Sequence, residues 1–153
     1  MQAMFGATAL SAFKSTNLLR SLRTSLPSVE SLSAQFVHFV DCEADFVAAE
    51  SSEMISLLEY GPKPSGVSKE KSLGSSIRLV IPRPGTISPW SSKATDILHN
   101  CGLTQVCRIE RGTLFRINTK NLLDERDMHL LDSFLHDRMT QIVLNDIESA
   151  AIL

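Results

Sequence analysis

The chain has 153 residues and a mass of 16.9 kDa, the size of one domain that can bury a core without a metal or disulfide. Its 43% hydrophobic residues, 21% charged residues and formal net charge of −2 are those of a globular protein, and they exclude the strongly basic surface typical of nucleic-acid binding. The three cysteines have neither the pairing of a secreted disulfide framework nor the spacing of a zinc site, so we expect a cytoplasmic protein.

Residues 1–29 contain no acidic side chain and carry three basic ones among serines, threonines and leucines, a composition also found in organelle-targeting peptides. Their apolar residues fall near helical spacing from Leu10 onward, and Pro27 closes the stretch. Both a targeting peptide and the first helix of the fold fit this composition, and we favour the helix because a resemblance to a known family begins inside the segment. No apolar run approaches the roughly 20 residues of a membrane-spanning helix, so no membrane partner is expected.

A strand, a helix and a linker are predicted next. Over residues 32–40, a predicted β-strand, Leu32, Phe36 and Val40 share one face with His38, and the opposite face becomes apolar only at Val37 and Phe39. Apolar residues at helical spacing, flanked by acids, predict a second helix over 44–60, which stops at Gly61. Residues 61–75 combine Gly, Pro and Ser with few apolar side chains, which predicts a flexible linker.

The second half begins with a predicted strand at 77–81 and a Pro-Gly turn. Ser88 precedes a proline, which is the N-cap pattern of a third helix, and Ser91 or Ser92 is an alternative start. We expect this helix to end at Gly102, which suits a left-handed cap.

The last predicted elements are a hairpin, a helix and a terminal segment. Residues 106–109 and 114–117 are interpreted as two strands joined by a turn at 110–113, which contains a glycine. Residues 122–135 predict a fourth helix. Residues 138–144 either extend that helix or form a last strand, and their β-branched side chains favour the strand.

Both halves follow a similar order of short strand or loop, helix, strand or hairpin, and helix. We therefore predict an α+β fold of two ferredoxin-like units side by side, with a mostly antiparallel sheet covered by helices. The predicted boundaries are residues 1–60 for the first unit, 61–75 for the linker and 76–153 for the second unit.

No residue of this chain is predicted to be catalytic or to bind a metal. Cys101 and His99 are the best candidates for a nucleophile and its base, but residues two apart on a helix point away from each other, and the negative end of the helix disfavours a thiolate. The four histidines lack the spacing of a metal site. Neither a phosphate-binding loop nor a dinucleotide fingerprint occurs, so we expect no cofactor in this chain.

The most informative stretch places the only tryptophan, Trp90, among hydroxyl side chains and a lysine at a helix start. Backbone N–H groups, hydroxyls and cations together can hold a phosphate or an acidic side chain of a partner. A capped helix whose Trp packs into its own core explains the same residues equally well. The candidate residues for domain docking or anion binding are Arg83, Thr86, Ser88, Trp90, Ser91, Ser92, Lys93, Thr95 and Asp96.

The same stretch resembles a known family. Pro-Arg-Pro-Gly-Thr-Ile-Ser-Pro-Trp-Ser-Ser-Lys-Ala-Thr-Asp-Ile at 82–97 resembles the N-terminal domain of the large, single-chain form of phosphoribosylformylglycinamidine synthase. Further stretches that resemble this domain are 9–13, 37–40, 58–62, 100–103, 108–112 and 135–140. The chain departs from the family at Met4-Phe5-Gly6, where the family more often has a basic residue before the glycine.

The resemblance implies a place in purine biosynthesis. The full family enzyme converts formylglycinamide ribonucleotide, glutamine and ATP to formylglycinamidine ribonucleotide, using Mg²⁺, through a synthetase domain and a C-terminal glutaminase domain. The N-terminal domain is similar to a dimer of the small PurS subunit of the multi-subunit form. It is implied to dock on the synthetase and glutaminase domains and to be inactive alone, with ATP and Mg²⁺ bound elsewhere in the full enzyme.

Two other hypotheses remain open at this point. One is a stand-alone ferredoxin-like module that senses a phosphorylated metabolite at the loop around Trp90. The other is a non-functional fragment of a larger gene.

Overall fold

The structure is a computed structural model that describes residues 1–63 and 74–153. Its elements in chain order are β1 (Gln2–Thr8), α1 (Ala12–Ser25), β2 (Val29–Cys42), a 3-10 helix (Ala48–Glu50), α2 (Ser52–Leu58), β3 (Gly74–Pro82), α3 (Pro89–Asn100), β4 (Val106–Thr119), α4 (Glu125–Leu135), β5 (Gln141–Leu144) and a 3-10 helix (Glu148–Ile152).

The five strands form one antiparallel sheet in the order β1-β2-β4-β3-β5. The long strands β2 and β4 pair along nearly their whole length, with His38 opposite Arg111 and Val37 opposite Gly112. The four helices pack on one face of the sheet, and the C-terminal 3-10 helix covers part of the other face. The predicted α+β class and the helix-covered antiparallel sheet are confirmed.

Two apolar clusters lie between the sheet and the helices. In one, Leu22 of α1 and Leu131 of α4 pack with Ile117 of β4. In the other, Met54 of α2 and Leu98 of α3 pack with neighbouring β2 and β4 side chains. The pair His38 and Arg111 lies on the same sheet face, between the two clusters, because strand side chains alternate in direction.

The two halves share an equal spacing of elements. Helices α1 and α3 begin at Ala12 and Pro89, and strands β2 and β4 begin at Val29 and Val106. The separation along the sequence is the same for both pairs. Two related units would produce this spacing, and an antiparallel pairing of β2 with β4 would join them into one sheet. The predicted domain boundaries themselves stay a prediction.

The predicted linker over 61–75 falls mainly on residues 64–73, which lie outside the described residues. Gly74 and Ser75, at its end, already belong to β3, where they pair with residues of β4. The third strand therefore begins before Ile77, where the sequence pattern places it.

The predicted hairpin with a turn at 110–113 is wrong, because β4 runs without interruption through this segment. Gly112 lies in the strand interior, and a Cβ there would come within 3.0 Å of both the Val80 carbonyl oxygen and Ile81 Cγ2. Gly112 allows strand β3 to approach β4 closely, which is a common reason for a glycine inside a strand.

The predicted second helix over 44–60 is too long. The chain forms only the 3-10 helix and α2, and Ser51 caps α2 by accepting a hydrogen bond from the Met54 amide at 3.2 Å. The side chain of Gln2 binds the backbone just before this point, donating to the Phe46 carbonyl at 2.7 Å and accepting from the Ala48 amide at 2.8 Å. Contacts with β1 therefore replace the helical hydrogen bonds of this segment.

The N-terminal segment is part of the fold. The predicted first helix is confirmed as α1, and Leu22 and Leu26 of this region are buried in the core. Strand β1 precedes it and is not predicted by the sequence pattern.

The last strand, favoured over an extended fourth helix, is confirmed as β5, and α4 begins at Glu125 rather than at Leu122. None of the helices in the described ranges has both the length and the apolar character needed to cross a membrane.

Candidate functional site

The candidate site is the Trp90 loop, residues 83–96, which leads into and forms the start of α3. Ser88 is the N-cap of α3, as its pattern predicts, and the alternative starts at Ser91 and Ser92 are wrong. The Ser88 hydroxyl accepts a hydrogen bond from the Ser91 amide at 3.0 Å. Gly102 closes the other end of α3 at a φ of 90°, again as predicted.

A buried carboxylate lies in front of this helix start. Ser88 donates to the two carboxylate oxygens of Glu110, from its hydroxyl at 2.7 Å and from its amide at 3.3 Å. Glu110, whose side chain is only 3% exposed, also accepts from Arg108 Nη2 at 3.2 Å and from the Arg111 amide at 3.0 Å. The chain therefore supplies its own anion at the position where the helix N-terminus would hold an external one.

Three further hydroxyls of the Trp90 loop make internal hydrogen bonds. Ser91 is fully buried and donates to the Ile109 carbonyl at 2.6 Å, while Thr95 accepts from the Ile109 amide at 3.2 Å. Thr86 donates to the Arg83 carbonyl at 2.6 Å. Ser91 and Thr95 therefore fasten α3 to β4, and Thr86 closes the turn before the helix.

The charged candidates are not brought together. Lys93 and Asp96 are exposed on α3, as is Ser92. Arg83 lies apart from them, and its Nη2 donates to the Arg138 carbonyl at 2.5 Å. The sequence-predicted residues therefore lie at three places: the cap of α3, the exposed surface of α3, and a site beside Arg138.

Trp90 belongs to an aromatic cluster around one arginine. The Arg111 guanidinium lies over the Trp90 ring at 4.7 Å and over the Phe36 ring at 4.3 Å from the ring centroids. Arg111 Nη1 also donates to the Tyr60 hydroxyl at 3.2 Å. The His38 ring lies 5.7 Å from Trp90 and 5.6 Å from Tyr60. Cation–π contacts on two sides and one hydrogen bond hold the guanidinium in a defined position.

His38 is the buried member of this cluster. Its Nε2 lies 2.7 Å from the Tyr60 hydroxyl, and because that oxygen accepts from Arg111, its hydrogen is free to point to an unprotonated Nε2. Burial, together with the nearby Arg111 cation, lowers the pKa of His38 to about 4. A Cβ on Gly6 would lie 2.5 Å from His38 Cε1, so the glycine of β1 makes room for the ring. The histidine is therefore a neutral, fixed part of the core at neutral pH.

An apolar groove of about 310 Å³ adjoins the cluster between α2 and α3. Trp90 and Tyr60 line it on the side of the cluster, and Lys93 lies at its rim. Leu57 from α2 and Ile97 from α3 also line it, and they remain 37% and 54% exposed. The groove thus combines aromatic walls, exposed aliphatic side chains and a lysine.

Sequence reasoning found Trp90 but missed its partners. The sequence pattern places His38 on an apolar strand face, and a histidine on such a face needs a hydrogen-bond partner, which here is Tyr60. Glu110 and Arg111 fall in the predicted turn at 110–113, and a turn does not predict the face to which a side chain points. In a continuous strand they point to opposite faces, and Arg111 comes to lie opposite His38.

The cysteines and histidines form no cluster of chemical interest in residues 1–63 and 74–153. No group of three metal-ligating side chains occurs among these residues. His99 binds the Val106 carbonyl through Nε2 at 2.7 Å. Burial and the neighbouring Asp41 raise the pKa of the Cys42 thiol, which disfavours a thiolate.

Comparison with known families assigns the chain. The family model described as formylglycinamide ribonucleotide amidotransferase N-terminal matches residues 35–153, which is well over half of the sequence. The matched region contains the Trp90 loop, the groove and the four other members of the Trp90 cluster, Phe36, His38, Tyr60 and Arg111. This chain belongs to the family of formylglycinamide ribonucleotide amidotransferase N-terminal domains, a part of an enzyme of purine biosynthesis.

Proposed function

We propose that this domain is a docking module for the synthetase and glutaminase domains of phosphoribosylformylglycinamidine synthase and carries out no reaction itself. The observation that carries the proposal is the apolar groove between α2 and α3, which stays open although the domain has buried cores of its own. Family membership supports the identity of the partners, because the matched family is the N-terminal part of that enzyme.

The composition of the groove suits a protein partner. Protein interfaces are enriched in Trp, Tyr and Arg, and their strongest contacts are aromatic side chains already held in place. Trp90 and Tyr60 meet this description because Arg111 stacks on one and hydrogen-bonds the other. A partner side chain that enters the groove would bury Leu57 and Ile97. Trp90 and Tyr60 are already held in place, so binding would not cost the entropy of ordering them.

The alternative of a stand-alone sensor that binds a phosphorylated metabolite at the Trp90 loop is less well supported. Glu110 fills the anion position at the helix start, and four loop hydroxyls are engaged internally. A phosphate at this position would face a buried carboxylate at close range, which is unfavourable. We further propose that the ATP and Mg²⁺ of the full enzyme bind to its other domains.

Binding in trans tests the docking role. We expect residues 1–153 to bind the remaining polypeptide of the synthase, measured by isothermal titration calorimetry. Ile97→Glu places a charge in the groove at an exposed position that tolerates it in the free domain, so binding should weaken by about tenfold or more. Leu122→Glu is the matched control, since Leu122 is 83% exposed and lies outside the groove. Equal effects of the two variants contradict the docking surface.

Two further measurements separate the hypotheses. Formation of formylglycinamidine ribonucleotide by the 153-residue chain alone would contradict a non-catalytic role. Trp90 fluorescence, titrated with purine-pathway ribonucleotides, should stay constant, because Glu110 already fills the anion position at the start of α3, next to Trp90. A saturable change would favour the sensor.

A further inference from the structure

A second concave surface, distinct from the groove, lies between α4 and the ends of β3 and β5. This basic hollow has a volume of about 380 Å³ and is lined by Arg83, His129, Asp132, His136, Arg138 and Gln141, among others. It shares no lining residue with the groove. Two arginines against one carboxylate give it a cationic character in a chain whose formal net charge is −2.

The fold assembles the hollow from two segments that are far apart in sequence. Strand β3 ends beside the start of β5, where the Arg83 amide donates to the Thr140 carbonyl at 3.0 Å. The Arg83 side chain crosses the same junction and donates from Nη2 to the Arg138 carbonyl at 2.5 Å. That bond uses one N–H of the guanidinium and leaves others available on a side chain whose position is fixed.

Helix α4 supplies the opposite wall. His129, Asp132 and Ser133 line the hollow from one face of the helix, and His136, which directly follows the helix, lines it as well. His136 Nδ1 donates to the Asp132 carbonyl, four residues earlier, at 2.5 Å, which holds the ring against the end of the helix.

The charge of the hollow is not balanced from within. Asp132 is its only carboxylate among the described residues, and that carboxylate accepts from Arg78 Nε at 2.8 Å. Arg78 is buried and also donates to Asn145, so this ion pair is a closed structural contact. In the described part of the chain, neither Arg83 nor Arg138 forms an ion pair. Two permanent positive charges therefore face the concavity.

We propose that the basic hollow is a binding site for a small molecule that carries a phosphate monoester. Guanidinium groups bind phosphate oxygens through paired, charge-assisted hydrogen bonds, and a phosphate offers acceptors to both arginines at once. A hollow of this volume lies within the usual range of small-ligand sites. Because the net charge of the chain is small and negative, its overall field does not attract a phosphate. Binding should therefore depend on the individual side chains of Arg83 and Arg138. The proposal does not rest on the docking role.

The test is a titration of the ¹⁵N-labelled 153-residue chain with glycerol 3-phosphate at low ionic strength, followed by amide chemical shifts. Saturable shifts are expected in residues 129–141 and at Arg83, and glycerol should produce none. Arg83→Gln and Arg138→Gln should each weaken binding by about tenfold. The Arg138 guanidinium makes no hydrogen bond in the described structure, so its loss should affect only the ligand. Arg126→Gln is the matched control, because Arg126 is an exposed α4 residue outside the hollow.

Three outcomes overturn the proposal. The first is an absence of saturable amide chemical-shift changes when glycerol 3-phosphate is in 10-fold or greater molar excess over the protein. The second is equal weakening by Arg138→Gln and Arg126→Gln, which would reduce the effect to general charge. The third is equal affinity for succinate, which would make the hollow a site for carboxylates, such as those of an acidic protein segment. Thermal unfolding of each variant, followed by circular dichroism, verifies that it is folded.

Discussion

Ser88→Ala removes two interactions at once, and the chain provides its own control. The Ser88 hydroxyl caps α3 through the Ser91 amide and also donates to the buried Glu110 carboxylate. Ser11 caps α1 in the same way, accepting from the Lys14 amide at 3.3 Å, but it is exposed and has no carboxylate partner. The two substitutions therefore differ by the hydrogen bond to Glu110.

The expected loss is larger at Ser88. Removal of a serine cap lowers the free energy of unfolding by about 1 kcal/mol. Glu110 keeps its bonds to Arg108 and to two backbone amides, but it loses its 2.7 Å hydroxyl contact, and a hydrogen bond to a buried charge contributes roughly 1.5–3 kcal/mol. We therefore expect a loss of about 3 kcal/mol for Ser88→Ala and about 1 kcal/mol for Ser11→Ala.

Urea unfolding, followed by far-ultraviolet circular dichroism, measures both losses. A double-mutant cycle of Ser88→Ala with Glu110→Gln isolates the contact, and we expect a coupling of about 1 kcal/mol or more. If Ser88→Ala and Ser11→Ala reduce stability equally, or if the coupling is zero, then Glu110 does not occupy the helix start as described and the anion position of α3 is open.

Two other predictions concern the sheet. Because burial lowers the pKa of His38 to about 4 in the folded state, against about 6.5 when unfolded, the unfolded chain binds more protons between these values. The free energy of unfolding should therefore fall by up to about 3 kcal/mol as pH decreases from 6.5 to 4, and His38→Gln should flatten this part of the pH profile relative to the wild type. Gly112→Ala should reduce stability by about 1–3 kcal/mol in chemical denaturation, because its Cβ would press on the Val80 carbonyl and Ile81; an unchanged stability would contradict the close approach of β3 and β4.

Local signals in the sequence were reliable where one helical turn contains the whole interaction. Ser88, the following proline and Gly102 marked both ends of α3, since a cap is a contact between residues three or four positions apart. The same reasoning failed at residues 44–60, where Gln2 from a distant strand replaces the helical hydrogen bonds. It failed again at Gly112, because a glycine inside a strand and one in a turn look alike until the neighbouring strand is known.

The sequence by itself determined the α+β class, the Trp90 loop as the segment to inspect, and the family that its motifs resemble. Only the tertiary structure decided what those residues face. Strand pairing places His38 opposite Arg111, and Tyr60 and Trp90 contact this pair. Arg83 instead lies at another surface, where it donates to the Arg138 carbonyl. The physical reason is that caps and periodicity depend on residues a turn apart, whereas the partners of a side chain on a sheet are fixed by strand order and register, which no local pattern contains.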